Sequence, residues 1–479
     1  LRERKGRVDK PFAVMALNLE TIRHFAELSD DEAALLSSKE RPIVLLKKKG
    51  DNPLSHLIAP GNQMIGAMLP YTPLHYLLLD NLDFRIAALV MTSGNFSDEP
   101  IVRDNEAAKR HLARLSDAFL LHNRDIVARC DDSVIRLWRG SELPVRRSRG
   151  YAPFPVKLPD SVPPILAVGG ELKSTFCLAR EQYAYLSQHI GDMENLETLE
   201  AFESAVAHYK HIFRVDPQVV ACDMHPNYLS TRWALEQEAQ TPVVQVQHHH
   251  AHIAAVMAEH QLPAGEPVIG FSFDGTGFGT DGAIWGGEVF IAGYDKFERV
   301  AHLKYVPLPG GDAAVKRPYR LALAHLWAAG LEWDGRLAPV IACPEAEQNI
   351  LRKQLETQLN TVPTSSMGRL FDAVASLAGV RQTITYEAQA AIELEALALE
   401  STAGTYHFAH SGAEFDAAPL IGGVAEDVIS GVSAAVIAAR FHNAVADLIL
   451  GISIDQRDKT GINQIALSGG VFQNVTLLE

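Results

Sequence analysis

The chain has 479 residues, 47% of them hydrophobic and 21% charged, with a formal net charge of −15. That length exceeds one ordinary domain and suffices for two or three sizeable cores. The acidic balance excludes a nucleic-acid binder that works by bulk charge, and with no run approaching 18 uninterrupted apolar residues no membrane span is expected. The charge is uneven: residues 1–150 hold 23 Lys/Arg against 20 Asp/Glu, which suits a local anionic ligand such as a nucleotide. The cysteines Cys130, Cys177, Cys222 and Cys343 are widely spaced, form no C-x-x-C pair and imply no disulfide framework. A reducing, cytoplasmic setting is the expectation. The opening Leu1-Arg-Glu-Arg-Lys-Gly-Arg lacks the apolar core of a signal peptide. With no initial Met and a helix-like Leu477-Leu-Glu479 at the end, both termini are expected to be cuts in a longer chain.

Over residues 1–150 short apolar runs alternate with helical patterns, an α/β reading. Lys5, Arg7 and Lys10 surround Gly6 and Pro11. Cations on a turn suit a triphosphate or carboxylate, although such clusters are usually solvated faces. Helices are expected over 21–27 and 30–37, a strand over 42–47 and a buried strand over 87–92. The last leads into Thr92-Ser93-Gly94-Asn95-Phe-Ser-Asp-Glu-Pro100. Those hydroxyls, an amide and a glycine stand at a strand end, where α/β ligand sites lie; an ordinary polar turn has the same composition. Segments 122–134 and 146–150 add cations and hydroxyls. Residues 151–164 contain five prolines, which predict an extended linker.

Beyond the linker, strand 165–168 enters Gly169-Gly170-Glu-Leu-Lys173-Ser-Thr-Phe176. Lys173 is placed to meet a phosphate, but the spacing is not that of a Walker A loop, and a plain hairpin turn is an equal reading. Strand-like 243–246 precedes His248-His249-His250-Ala251-His252 and an apolar helix without Gly or Pro. His248 and His252, four apart, put two imidazoles on one helix face, within reach of one metal ion. His249 and His250 face elsewhere, as structural or substrate-facing groups. Strand 268–273 leads into Asp274-Gly275-Thr-Gly277-Phe-Gly279, whose backbone N–H groups can approach an anion. Imidazole with carboxylate suits Zn²⁺ or Fe²⁺ over Mg²⁺. Helices over 369–377, 387–399 and 432–450 and a strand over 464–467 precede a second glycine turn, Ser468-Gly469-Gly470-Val-Phe-Gln-Asn474.

These motifs carry two resemblances. The Lys5/Arg7/Lys10-Pro11 segment, Thr92-Ser93-Gly94-Asn95, Asp132-Ser133 and Arg149-Gly150 resemble the YrdC-type domain, which makes carbamoyl or threonylcarbamoyl adenylates from ATP. The resemblance implies that Lys5, Arg7 and Lys10 hold phosphates and the carboxyl or carbamate group. Thr92, Ser93, Asn95, Ser133 and Arg149 would line the ATP site. The histidine pair, Asp274-Gly-Thr-Gly and Ser468-Gly-Gly-Val are similar to the Kae1-like branch of the actin/sugar-kinase/heat-shock ATPase superfold. There Gly169, Gly170, Lys173, Gly275, Gly277, Ser468, Gly469, Gly470 and Asn474 would hold nucleotide, and His248, His252 and Asp274 a metal. Segments 221–231, 307–314, 364–373 and 386–395 narrow the resemblance to the HypF carbamoyltransferases of [NiFe]-hydrogenase maturation.

The resemblance implies a YrdC-like twisted-sheet α/β domain over 1–150 that forms carbamoyl adenylate. A linker over 151–164 would follow, then a two-lobed Kae1-like domain over 165–479 that transfers the carbamoyl group, with lobes roughly 165–305 and 306–479. ATP, Mg²⁺ and one transition metal, Zn²⁺ or Fe²⁺, are the implied cofactors. Carbamoyl phosphate or carbamate is the implied donor, and the C-terminal cysteine of HypE the acceptor, with no nucleic-acid or membrane partner. The family's acylphosphatase and zinc-finger modules are absent from these residues, and its remaining metal-ligand aspartate is expected downstream of Glu479. A small-molecule O-carbamoyltransferase and a non-catalytic nucleotide-binding scaffold are the competing readings.

Overall fold

The computed structural model describes residues 1–80, 88–96, 99–398 and 404–479. Ala87 of the expected strand, Ser97 and Asp98 of the hydroxyl-rich turn, and Leu399 of an expected helix lie outside these. The chain divides into two compact units, Leu1–Gln245 and Val246–Glu479.

The first unit carries two sheets. One is built from β1 (Ala13–Met15), β2 (Ile43–Lys47), β3 (Met64–Met68), β4 (Leu89–Met91), β5 (Val134–Trp138) and β6 (Ser141–Arg146), in the order β4-β1-β3-β2-β5-β6. Its core gathers Val14, Phe25, Leu36, Val44, Leu46 and Ile135. The helix Asp30–Ser37 begins where expected because Ser29 and Glu32 form a reciprocal capping box. The helix expected over 21–27 is instead Leu19–Arg23, since Asn18 caps it by accepting from Thr21 N at 2.9 Å. β4 is a correction too: it lies at the sheet edge with Val90 exposed, where a buried strand was expected.

The second sheet contains β7 (Val156–Val168), β8 (Phe176–Leu186), β9 (Val219–Asp223) and β10 (Val243–Val246), in the order β10-β9-β7-β8. The proline-rich segment is therefore no free linker. Its second half is the start of β7, paired antiparallel with β8. Proline supplies no ladder donor, and the register breaks between Lys157 and Val162 and between Val162 and Ile165, where Pro159, Pro163 and Pro164 fall. The helix Leu196–Phe213 covers this sheet through Phe202, Val206 and Tyr209.

The second unit holds β11 (Val268–Phe273), β12 (Gly287–Ala292), β13 (Phe297–Leu303), β14 (Val306–Pro309), β15 (Thr361–Thr364), β16 (Ala409–Ser411), β17 (Glu414–Asp416) and β18 (Ile465–Ser468). β14 and β15 form a separate ribbon; the main sheet has the order β16-β17-β13-β12-β11-β18. The lobe boundary expected at 305/306 cuts this sheet, because β13 pairs with β17 across it. β11 is buried at every residue, between antiparallel β12 and parallel β18, which explains its unbroken apolar run. The helix expected over 432–450 is Ala434–Thr460, capped by Ser433 and ended by Gly461 at φ 76°. By length and composition alone it could cross a membrane, yet half of that apolar window is buried. Ile437, Phe441, Val445, Leu448 and Ile452 place it in the core.

Candidate functional site

Asp274 follows β11 and Ser468 ends β18, so both stand at the carboxyl edge of two adjacent parallel strands, where α/β sheets hold ligands. The helix His248–Glu259 packs on β11, β12 and β18. Gly270 permits the approach: a Cβ there would lie 2.8 Å from Ile253 Cγ1. Gln247 fixes the helix start, its Oε1 accepting from His250 N at 2.9 Å. His248 and His252 consequently face one way, ring centroids 5.0 Å apart.

Asp274 Oδ2 lies 3.2 Å from His252 Nε2 and 3.6 Å from His248 Nε2. One ligand atom from each of the three lies within 4.8 Å of the others, and all three residues are only partly exposed. Burial pushes the Asp274 carboxyl up, but hydrogen bonds from both imidazoles outweigh it and hold the group well below the carboxylate range. Ser468 Oγ sits 3.4 Å from His252 Nδ1, the ring's other nitrogen, and orients it. Two imidazole nitrogens and a carboxylate oxygen match the donor set of Zn²⁺ or Fe²⁺.

The two glycine turns meet at Asp274. Its Oδ1 accepts from Gly275 N at 2.7 Å and from Gly470 N at 3.3 Å. The Gly275 amide is thus turned onto the carboxylate, where the sequence suggested it would face an anion. Gly277 and Gly469 are required by contact. A Cβ on Gly277 would lie 2.3 Å from His249 Cε1, and one on Gly469, at φ 99°, 2.3 Å from Phe273 O. His249 is wholly buried and kept neutral by burial and by the neighbouring His248, and His250 Nε2 bonds Gly293 O at 2.7 Å; both hold the helix in place. The sequence reading missed Ser366, whose hydroxyl donates to the carbonyls of Asp274 and Gly275 at 2.7 and 2.9 Å. Its signals were a serine preceding a helix and its place in the 364–373 segment of the family resemblance.

In the first unit Lys5 is 5% exposed. Its ammonium donates to Thr92 Oγ1 at 3.0 Å, Ser93 O at 2.8 Å and Asn95 Oδ1 at 3.3 Å, and Ser93 Oγ donates to Asn95 Oδ1 at 2.7 Å. Thr92, Ser93 and Asn95, 87 to 90 positions from Lys5 in sequence, thus form one cluster with it. Burial, then repulsion from Arg7 and Lys10, bring the Lys5 ammonium down to about 8. Arg7 is lowered to about 10 by burial and by Arg2; it stacks on Phe12 at 4.7 Å and donates to the carbonyls of Lys10 and Pro11. His189, which the sequence reading did not single out, lies 4.0 Å from Asp131 and is pushed down to about 3 by burial and the cations Arg146 and Lys10.

Other expected site residues are engaged in the fold. Ser133 is wholly buried between Arg149 O and Ser148 N. Arg149 bonds Asp132 at 2.7 Å and the carbonyls of Glu40 and Arg41, and stacks on Tyr71. Asn474 caps the terminal helix and donates to His442 Nε2 at 2.8 Å. Gly169, Gly170 and Lys173 form the β7–β8 turn of the first unit, Lys173 at φ 51° with its N–H on Asp192.

A metal-type triad between glycine turns at the ends of parallel strands, in a chain that opens with an α/β sheet and a buried lysine cluster, defines a Kae1-like protein joined to a YrdC-like one. Family models agree. Residues 1–148 match the Sua5/YciO/YrdC model, described as telomere recombination, residues 160–259 the HypF Kae1-like domain, and residues 270–479 the second subdomain of the carbamoyltransferase Kae1-like domain. Carbamoyltransferase HypF2 of Cupriavidus necator is 41% identical over 99% of this chain and 63% of its own length. A HypF homolog of the same organism is 38% identical over 65% of this chain and 81% of its own length. A crystal structure of full-length HypF in the phosphate- and nucleotide-bound form superposes with a TM-score of 0.93 at 46% identity, covering 100% of this chain and 75% of that one. The chain belongs to the HypF carbamoyltransferase family. It spans about 63% of the length of several curated relatives it matches.

Proposed function

We propose that this chain carries out two half-reactions, forming carbamoyl adenylate from ATP and carbamate and passing the carbamoyl group to the C-terminal cysteine of HypE. The observation that carries the reading is the His248/His252/Asp274 triad clasped between the Asp274–Gly277 and Ser468–Gly470 turns. In the first half-reaction a carbamate oxygen attacks the α-phosphorus of ATP, and pyrophosphate leaves. Lys5, Arg7 and Lys10 neutralise the phosphate charge, while Thr92, Ser93 and Asn95 position Lys5. In the second, the partner thiolate attacks the carbamoyl carbon, and AMP leaves with the bonding pair. His248, His252 and Asp274 would hold a Zn²⁺ or Fe²⁺ ion, which supplies Lewis-acid polarisation of a carbonyl or phosphate oxygen. Ser468 and the Gly275 and Gly470 amides fix the orientation of that donor set. Mg²⁺ would accompany ATP in the first unit, and the donor is carbamate or a carbamoyl phosphate that yields it.

The test supplies preformed carbamoyl adenylate and purified HypE, with S-carbamoylation of the terminal cysteine read by mass spectrometry. Modification that depends on the triad is expected, alongside carbamate-dependent ATP–pyrophosphate exchange that depends on Lys10. A carbamoylated small-molecule hydroxyl with an unmodified HypE would replace the acceptor. Nucleotide binding with neither product would leave a scaffold.

A further inference from the structure

Beneath the 274–277 loop lies a buried ion pair that the triad does not use. The helix Met367–Leu377 begins at Ser366, whose hydroxyl bonds the loop carbonyls of Asp274 and Gly275, so its first turn is pinned against the loop. Gly368 lets it approach: a Cβ there would lie 2.9 Å from Gly275 Cα. Arg369 is the next residue. Its Nη2 would lie 2.9 Å from a Cβ on Gly275, so the guanidinium underlies the glycine loop directly. Arg369 Nη1 is 3.1 Å from Asp372 Oδ2, and the two side chains are 9% and 1% exposed. Despite this, Nε and Nη1 of Arg369 and both oxygens of Asp372 make no hydrogen bond. Arginine cannot shed its proton to relieve burial, and a buried cation whose donors are unmet is costly unless a further group engages it.

We propose that Arg369 is an anion-recognition residue of the second unit, its Nη2, the guanidinium nitrogen nearest Gly275, engaging a phosphate oxygen of an adenine nucleotide seated on the 274–277 loop, while Asp372 competes for the guanidinium from the other side. The inference rests on the proposed function, whose second half-reaction releases AMP at the triad beside that loop. It deepens that reading by assigning to a helix behind the loop the positive charge that the backbone amide of Gly275, turned onto Asp274, does not supply. Arginine suits the role because its planar fork matches phosphate oxygens, which a lysine ammonium does not.

The test uses the full chain and photolabelling with 8-azido-ADP, quantified separately on peptides from 1–148, the YrdC-type residues, and from 246–479. Arg369→Met should raise the half-saturating concentration on the 246–479 peptides by roughly tenfold or more, the scale of a lost charge-assisted hydrogen bond, and leave labelling of 1–148 unchanged. Because the single change strands Asp372, the double variant Arg369→Met/Asp372→Asn removes both charges, should keep the wild-type melting temperature within a few degrees, and should label as weakly. Asp372→Asn alone should label as well as wild type or better, since it releases the guanidinium. Wild-type labelling by the double variant overturns the inference. So does an Asp372→Asn variant as weak as Arg369→Met, which would make the pair a structural brace. No label on 246–479 in the wild type would instead defeat the functional reading itself.

Discussion

Lys5 is held in a costly state, and the cost can be measured. Its ammonium is brought from 10.5 to about 8, first by burial, then by Arg7 and Lys10, with Asp131 acting in opposition. A displacement of that size corresponds to about 3 kcal/mol against the charged form. Because the folded value lies below the unfolded one, both states are protonated below about pH 8 and the penalty is then fully present. Between pH 8 and 10.5 the unfolded chain binds more protons, so stability rises with pH and the penalty is gone above that window. Replacing Lys5 by Met removes the charge but also strands its hydrogen-bond partners Thr92, Ser93 and Asn95, at about 1 kcal/mol each. The two effects nearly cancel at pH 7, so Lys5→Met should be about as stable as wild type there. At pH 10.5 it should be about 3 kcal/mol less stable, because wild type alone has lost the penalty. Urea unfolding of both proteins across pH 7 to 10.5, followed by circular dichroism, reads the difference, and titrations elsewhere in the chain cancel. A difference that stays constant across this range refutes the reasoning: Lys5 would then have an ordinary affinity for its proton. A second reading follows from the same geometry. ATP should restore the proton, so calorimetric titrations at pH 8.5 in buffers of different ionisation enthalpy should show proton uptake that Lys5→Met lacks.

The metal and the glycine contacts make two further predictions. His248→Ala/His252→Ala should lose bound transition metal by elemental analysis while keeping the wild-type circular dichroism, because both rings are partly exposed and neither lies in the apolar core; unchanged metal content would remove the triad from consideration. Gly277→Ala brings a Cβ to 2.3 Å from the His249 ring and 3.1 Å from that of His248, so the histidine helix must shift. A loss of about 1–3 kcal/mol of stability is expected, together with weaker metal retention against a chelator, and a variant that retains metal as wild type does would show that the loop yields instead of the helix.

What the sequence made legible was local. The i, i+4 pair His248/His252, the unbroken apolar run of β11 and the capping box at Ser29/Glu32 each follow from spacing within a few residues. What it hid was pairing at a distance. Nothing local told the proline-rich segment that β8 would take its second half as a strand, since a ladder with two breaks tolerates prolines that an isolated stretch would spend on extension. Nothing local announced that β13 would pair with β17 more than a hundred residues on, across the lobe division expected at 305/306. The same blindness affected the polar residues. Ser133, Arg149 and Asn474 have the chemistry of ligand contacts, yet the fold uses their hydrogen-bonding capacity internally. Ser366 and Arg369 fell within the 364–373 segment that carries the family resemblance, but nothing in the sequence gave either a role until the glycine loop was seen resting on them. Residue type reports what a side chain can do; only burial and the count of unmet partners report what it has left to do. By that criterion Arg369, buried and under-bonded beneath the loop, has more capacity to hold an anion than the fully engaged Arg149.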